Sequence, residues 1–241
     1  MPASRPLALI APFVLLFVAM TAGCAGRADA ADNAGEKGFT KLFNGKDLTG
    51  WIYGTEKAKE KKQGAGYQVD AERGVLYATE KDDGNLYTEK EYANFVFRFE
   101  FKLTPGANNG VALRAPREGN AAYLGMESQI LDDAAEKYAK LRPEQYHGSI
   151  YDTVAAKRGS LKPVGEWNEE EIIADGRHVT VKVNGTTIVD ANLDDVKDEA
   201  ILKKHPGLAR TSGHLGFLGH GAAVEFRNLR VKELPATNEK K

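Results

Sequence analysis

The stretch FVFRFEFKL, from Phe95 to Leu103, places a large apolar residue at every second position. Because successive side chains of a strand point to opposite faces of a sheet, these apolar residues share one face. Arg98, Glu100 and Lys102 lie on the other face, which therefore meets water. The stretch predicts a long, half-buried strand of an antiparallel sheet.

Shorter alternating segments recur along the rest of the chain. They predict further strands over residues 110–114, 123–131, 178–183, 186–190, 215–218 and 224–231. Asn184 and Gly185, between two of these segments, are typical of a two-residue hairpin in which both residues need positive φ. Residues 132–141 and 193–204 instead predict surface helices that stop before a proline. We therefore expect an all-β fold, an antiparallel jelly-roll β-sandwich with short surface helices.

The first 23 residues have the three-part pattern of an export signal. Arg5 precedes an uncharged apolar stretch over residues 7–20, and small residues follow up to Cys24. The stretch is shorter than the roughly 20 residues that span a bilayer and contains Pro12, so we expect cleavage rather than a permanent membrane helix. The predicted organisation is a signal over 1–23, a lipobox cysteine and flexible tether over 24–37, one domain over 38–234, and a disordered tail over 235–241.

Cys24 is the only cysteine, which excludes an intrachain disulfide. Its place after Ala22 and Gly23 resembles a bacterial lipobox, which implies lipidation and a periplasm-facing or outer-membrane lipoprotein of the cell envelope. Ordinary cleavage a few residues further on is the alternative. Without residues 1–23, whose only charge is Arg5, the formal net charge changes from −1 to −2. This mixed surface predicts no nucleic-acid partner, and contact with a membrane only through the lipid anchor.

Several separated motifs resemble one protein family. They are LFNGKDLTGW at 42–51, NNGVALR at 108–114, ESQILD at 127–132, GSIY at 148–151, KPVGEWN at 162–168 and GHGAAVEFRNLRV at 219–231. Together they resemble the 3-keto-disaccharide hydrolase domain, formerly a domain of unknown function, with Asn109 where the family usually has serine. The resemblance covers almost the whole predicted domain and implies a concanavalin-like or laminin-G-like jelly roll.

The resemblance also implies an activity, the cleavage of a glycoside already oxidised to a ketone at C3 of one sugar. The ketone acidifies the C2 hydrogen, so loss of that proton and of the C1 leaving group breaks the glycosidic bond without the oxocarbenium route of ordinary glycosidases. Addition of water to the unsaturated sugar completes a net hydrolysis. The sequence has no dinucleotide-binding fingerprint, so we expect no nucleotide cofactor, and a separate sugar 3-oxidoreductase must make the substrate.

This route needs a base, an acid for the departing oxygen and a positive group at the developing enolate. We assign Glu127 as the base, His220 as the acid or base partner, and Arg114 to the enolate. Histidine titrates near neutral pH and can therefore donate or accept a proton. A divalent cation of unknown identity, held by Glu127 and His220 with Asp132 as a further candidate ligand, is the alternative to Arg114.

The sugar itself needs hydrogen-bonding groups and an aromatic surface. The candidate substrate-binding residues are two amides and two aromatic residues, Asn109, Gln129, Tyr151 and Trp167. Alternation puts Gln129 on the same face as Glu127, and Arg114 joins them if the neighbouring strand turns its polar side the same way. Structural explanations stay open, namely Trp167 in the core, Arg114 in an ion pair with Glu127, His220 at a turn and Asp132 as a helix cap.

Two other functional classes fit the same fold. A carbohydrate-binding surface lipoprotein needs an aromatic platform but no titratable pair, because jelly-roll scaffolds serve lectins and hydrolases alike. A purely structural envelope lipoprotein needs neither feature. The sequence contains no P-loop, serine-hydrolase elbow or Cys/His zinc spacing, so it offers no motif for those chemistries.

Overall fold

The computed structural model describes residues 36–54, 66–80 and 84–235. The predicted signal, Cys24, nearly all of the tether and the tail beyond residue 235 lie outside these ranges, so the expectations for them remain predictions. None of the helices in the described ranges is both long enough and apolar enough to cross a membrane.

The strands carry the following bounds, in chain order. They are β1 Thr40–Lys41, β2 Trp51–Gly54, β3 Tyr67–Asp70, β4 Val75–Ala78, β5 Asn85–Tyr92, β6 Phe95–Leu103, β7 Asn108–Ala115, β8 Met126–Leu131, β9 Trp167–Asp175, β10 His178–Val183, β11 Thr186–Asn192, β12 Gly213–Gly219 and β13 Val224–Glu233. Two short α-helices, α1 Ala121–Leu124 and α2 Glu199–Lys204, connect them, together with 3₁₀ turns at Glu136–Tyr138, Pro143–Gln145, Leu193–Asp195 and Pro206–Ala209.

These strands form two antiparallel sheets. The larger sheet has the order β11–β10–β9–β6–β13–β4–β3, with β1 paired to β13, and the smaller sheet has the order β2–β5–β12–β7–β8. The pairings on both sides of β6 and of β7 are antiparallel. The predicted antiparallel jelly-roll sandwich is therefore confirmed.

The core lies between the two sheets and is built on the alternation of β6. Every second residue of β6, from Phe95 to Leu103, is buried, and the residues between them are partly exposed. From the smaller sheet, Phe217 packs against this layer, with its ring centroid 3.9 Å from that of Phe226 and 5.7 Å from that of Phe99. Such aromatic packing joins the sheets through apolar burial.

The predicted hairpin and the predicted helices have different outcomes. Asn184 and Gly185 connect β10 to β11 with φ values of 50° and 80°, so the two-residue hairpin is confirmed. The segment 132–141 holds only one short 3₁₀ turn, because the Asp132 carboxylate accepts hydrogen bonds from the backbone N–H groups of Gly106 and Ala134 and fixes a turn there. In 193–204 the helix is confined to a 3₁₀ turn and α2.

The predicted strand over 123–131 is shorter than expected at its start. Residues 121–124 form α1 instead, and the Asn120 side chain caps this helix by accepting a hydrogen bond from the backbone N–H of Ala122. The strand β8 begins at Met126. The change places Tyr123 on a helix that packs beside β7 and β8 rather than within the sheet.

Candidate functional site

Glu127 lies on the outer face of the smaller sheet, the face turned away from the core. In β7, Val111 and Leu113 pack into the main core, whereas Ala112 belongs to a separate apolar cluster that includes Tyr87. Ala112 and Glu127 are direct partners in the β7–β8 ladder. Because directly paired residues of neighbouring strands share a face, the Glu127 side chain points outward.

The carboxylate of Glu127 lies over the backbone of Gly110. A Cβ atom at Gly110 would fall 2.0 Å from Oε1 of Glu127, so only glycine leaves room for the carboxylate in this position. Glu127 is nevertheless 3% exposed, and its Oε1 lies 3.4 Å from Nε2 of His220. The structure thus brings together a buried carboxylate and a partly exposed imidazole, the pair that was predicted from sequence.

A short segment after β8 returns along the free edge of that strand. The backbone N–H of Gly148 donates to the carbonyl of Gln129, and the N–H of Tyr151 donates to the carbonyl of Glu127, at 2.7 Å and 2.9 Å. These bonds fix Tyr151 beside Glu127. Burial raises the pKa of the Tyr151 phenol, and the nearby carboxylates of Asp152 and Glu127 raise it further.

Gln129 shares the outward face of β8 with Glu127. It is the ladder partner of Gly110, and its side chain is 5% exposed. Its amide oxygen has no hydrogen-bond partner among the residues that the structure describes. Glu127, Gln129, Tyr151 and His220 therefore belong to one locality, in which an amide and a phenol flank the carboxylate.

The prediction that Arg114 converges on Glu127 is wrong. Its guanidinium is buried and donates from Nε to the carbonyl of Ala93 at 2.8 Å, from Nη1 to those of Gly176 and Arg210 at 2.9 Å and 3.3 Å, and from Nη2 to Oδ1 of Asn94 at 3.2 Å. The backbone of Arg114 has φ 49°, which breaks the alternation of β7 on which the prediction rested. Arg114 ties three loops together instead of facing a substrate.

The prediction that Asn109 contacts a sugar is also wrong. Asn109 is fully buried, and its amide donates to the hydroxyl of Tyr67 at 3.1 Å. Asn109 alternates with Val111 and Leu113, which pack into the core. The same periodicity could have excluded it from the outer face.

Trp167 belongs to the opposite side of the sandwich from Glu127. It starts β9 in the larger sheet, and its ring lies 4.0 Å from the guanidinium carbon of Arg227 and 5.0 Å from Nζ of Lys102. Lys102 is on the outward face of β6. The prediction of Trp167 as a platform beside Glu127 is therefore wrong, because a shared sequence motif does not fix which sheet carries the residue.

Asp132 cannot share a metal ion with Glu127. It follows β8 five residues after Glu127, a separation of about 16 Å along an extended chain. Both of its oxygens accept backbone hydrogen bonds, from Gly106 and Ala134. Across residues 36–54, 66–80 and 84–235 no three His, Cys, Asp or Glu side chains are grouped so that they could hold a metal. Of the three ligands predicted from sequence, Glu127 and His220 remain candidates for metal ligation.

Sequence reasoning missed a charged cluster next to Tyr151. Asp152 has a positive φ of 60° and a nearly buried carboxylate, which pairs with Arg142 and with Lys204, the latter at 2.6 Å. The Lys204 ammonium lies 5.4 Å from the ring of Tyr123. These residues come from separate loops and from α1 and α2, so no single sequence pattern could have joined them.

Several known proteins are similar to this chain in sequence and in fold. A family model described as the 3-keto-alpha-glucoside-1,2-lyase-like domain matches residues 38–232. A 3-keto-disaccharide hydrolase of Bacteroides thetaiotaomicron is 29% identical over 230 residues, which cover 82% of this chain and 79% of the relative. A Parabacteroides distasonis crystal structure, assigned provisionally as a glycosyl hydrolase, has a TM-score of 0.68 at 26% identity over 81% of this chain and 99% of its own.

A more distant comparison bears on the fold alone. A Bacillus subtilis protein of unknown function with a galectin-like fold has a TM-score of 0.54 at 14% identity, covering 81% of this chain and 94% of its own. It shares the sandwich architecture with this chain, which agrees with the antiparallel sheets described above.

Replacing Arg114 by methionine tests its structural role. The change keeps most of the side-chain volume but leaves the carbonyls of Ala93 and Gly176 without their donor, so we expect a loss of about 2–4 kcal/mol in the free energy of unfolding. Denaturant unfolding measures it, with the exposed Arg117→Met as the matched control, expected within about 0.5 kcal/mol of the wild type. Equal stability of both variants would contradict the assignment.

Proposed function

The chain belongs to the 3-keto-alpha-glucoside-1,2-lyase-like domain family, and on this basis we propose that it cleaves the glycosidic bond of 3-keto-glycosides, including disaccharides. The family match agrees with the resemblance that the sequence motifs indicate. The observation that carries the proposal is the Glu127 carboxylate, held over Gly110 and 3.4 Å from the imidazole of His220. Binding of a sugar alone would need no such titratable pair.

In the proposed reaction Glu127 takes the C2 proton of the 3-keto sugar. The electron pair of that C–H bond forms the enolate and then the C1–C2 double bond, and the C1–O bond breaks with its electrons on the departing oxygen. His220 supplies the proton that this oxygen takes up. Water then adds its hydroxyl to C1 and gives its other proton to His220, while a proton returns from Glu127 to C2, so both residues regain their starting states and the net change is hydrolysis.

The enolate oxygen needs a donor, and Arg114 is not available for it. Tyr151 is the candidate for this role, because its backbone N–H donates to the Glu127 carbonyl and its hydroxyl already accepts a hydrogen bond from Nε2 of Gln145 at 3.2 Å. The phenol keeps its proton at neutral pH, since burial raises its pKa. A preorganised donor of this kind is worth roughly 3–4 kcal/mol at an oxyanion. Gln129 is the candidate for contact with sugar hydroxyls.

A comparison of substrates tests the proposed activity. We expect release of free sugar from 3-keto disaccharides and none from the unoxidised parent disaccharides, because only the ketone acidifies C2. Chromatography of both reactions, with and without a chelator, measures it, and loss of cleavage with chelator would add a metal requirement. Cleavage of the parents at an equal rate would exclude the elimination. Sugar binding without any cleavage would favour the binding-module alternative.

Substitutions at the carboxylate test the assigned roles. Glu127→Gln removes the base and is expected to lower kcat by about 10²–10⁴ while sugar affinity changes little. His220→Ala is expected to lower kcat as well, and Gly110→Ala should do so because a Cβ would displace the carboxylate. Steady-state kinetics with a thermal unfolding control measure these effects. Wild-type turnover in Glu127→Gln would remove the glutamate from the mechanism.

We also propose that the protein is an exported envelope lipoprotein attached through Cys24, which the sequence pattern of residues 1–24 supports. Mass spectrometry of the N-terminal peptide from the membrane fraction should find acyl chains on Cys24. In Cys24→Ser the protein should move from the membrane to the soluble envelope fraction. An unmodified cysteine in a soluble wild-type protein would exclude the anchor.

A further inference from the structure

A buried polar cluster lies between the sheets, directly behind Glu127. Glu170 of β9 is fully buried, and its Oε1 lies 3.2 Å from the hydroxyl of Ser128, the residue after Glu127 whose side chain points inward. His147, the first residue of the segment 147–151 that runs along the edge of β8, has its Nε2 3.6 Å from Oε2 of Glu170. One carboxyl group thus reaches both β8 and the segment paired with it.

The hydrogen bonds fix the orientation of the imidazole. Nδ1 of His147 accepts a hydrogen bond from the backbone N–H of Leu131 at 3.2 Å, so the ring proton is on Nε2 and faces Glu170. Within the described residues Nε2 of His147 and Oε2 of Glu170 have no hydrogen-bond partner, and their separation of 3.6 Å is slightly longer than a hydrogen bond. Each atom therefore faces the other across 3.6 Å, in a core where an unpaired polar atom destabilises the fold.

The surroundings keep this cluster uncharged. Burial lowers the pKa of His147 to about 3 and raises that of Glu170 to about 8. The ladder partners of Glu170 are Phe99 and Val183, and the ring of Phe101 stacks on His147 at 5.1 Å. The Ser128 hydroxyl donates to one oxygen of the Glu170 carboxyl, and the His147 imidazole faces the other.

We propose that Glu170 and His147 are positioning residues, a buried bracket that holds β8 and the segment 147–151 together so that Glu127 and Tyr151 keep their relative places. The bracket acts through the backbone, because Ser128 follows Glu127 and the N–H of Tyr151 donates to the Glu127 carbonyl. Its effect on turnover rests on the proposed function. Its effect on the local structure does not.

The test compares Glu170→Gln, which keeps the shape and the hydrogen-bonding capacity, with Glu170→Ala, which removes both. The neighbouring Glu169→Gln is the matched control, since Glu169 alternates to the outward face of the same strand and its side chain is 55% exposed. Amide hydrogen exchange at Gln129, Leu131 and Tyr151 reports local opening of β8 and its edge.

We expect faster exchange at these amides in Glu170→Ala, and near wild-type exchange in Glu170→Gln and in the control. With 3-keto disaccharides, Glu170→Ala should lower kcat by about tenfold or more with a smaller change in KM, and Glu170→Gln should restore it. Wild-type exchange and kcat in a folded Glu170→Ala protein would overturn the bracket. If the wild type cleaves no keto-glycoside, the proposed function fails, while exchange still decides the bracket.

The pH dependence of stability supplies a second readout, which also serves if Glu170→Ala does not fold. Between about pH 4.5 and 8 folded Glu170 keeps a proton that the unfolded chain releases, so this group makes stability fall as pH rises. Between about pH 3 and 6.5 the unfolded chain binds a proton on His147 that the folded chain lacks, so stability rises with pH. The two contributions cancel between about pH 4.5 and 6.5, and above pH 6.5 the free energy of unfolding falls as pH rises.

Glu170→Gln should abolish the fall in the free energy of unfolding between about pH 6.5 and 8. In this range the wild-type unfolding constant grows by up to about tenfold per pH unit. Denaturant unfolding at several pH values measures this against Glu169→Gln, which should keep the wild-type slope. If the free energy of unfolding of Glu170→Gln fell with rising pH as in the wild type, Glu170 would not be a neutral buried carboxyl. The bracket would then be excluded as well.

Discussion

The missing side chain at Gly110 is the constraint on which the rest of the site depends. The Glu127 carboxylate fills the space that any Cβ at this position would need, and the β7–β8 register sets the two residues two pairs apart in the ladder, on the same face of the sheet. From that position the carboxylate reaches His220, and its backbone carbonyl receives the N–H of Tyr151. Because Gly110 has no side chain, the Glu127 carboxylate can lie against the sheet and be buried there.

The two outer faces of the sandwich differ in chemistry. The larger sheet carries a ladder of opposite charges, with Lys102 paired to Glu225 at 2.6 Å and Arg227 to Glu100 at 2.7 Å. Its charged groups satisfy one another and keep the face solvated. On the smaller sheet, glycine and alanine leave Glu127 without a basic ladder partner. Within residues 36–54, 66–80 and 84–235 no arginine or lysine forms a salt bridge with Glu127, which leaves its carboxylate available for the role of base that we propose.

Much of the fold followed from alternation, and the failures have physical causes. The strands β6 and β10 and the hairpin at Asn184 depend on local periodicity and turn chemistry, which a sequence displays directly. The prediction for Arg114 failed because its positive φ within a strand is set by neighbouring loops. Glu170 could not be found, since it lies in a run of three glutamates whose middle member alone is fully buried. Burial of that acid depends on Ser128 and His147, which are distant in sequence.

In the proposed reaction Glu127 removes the proton from C2 of a 3-keto sugar. The most direct measurement compares the rate of cleavage of a 3-keto disaccharide with that of the same compound carrying deuterium at C2, under conditions where the chemical step limits turnover. We expect a primary isotope effect in the wild type, because Glu127 breaks the C2–D bond before it returns a proton to C2. Equal rates together with full retention of deuterium at C2 in the product would contradict it.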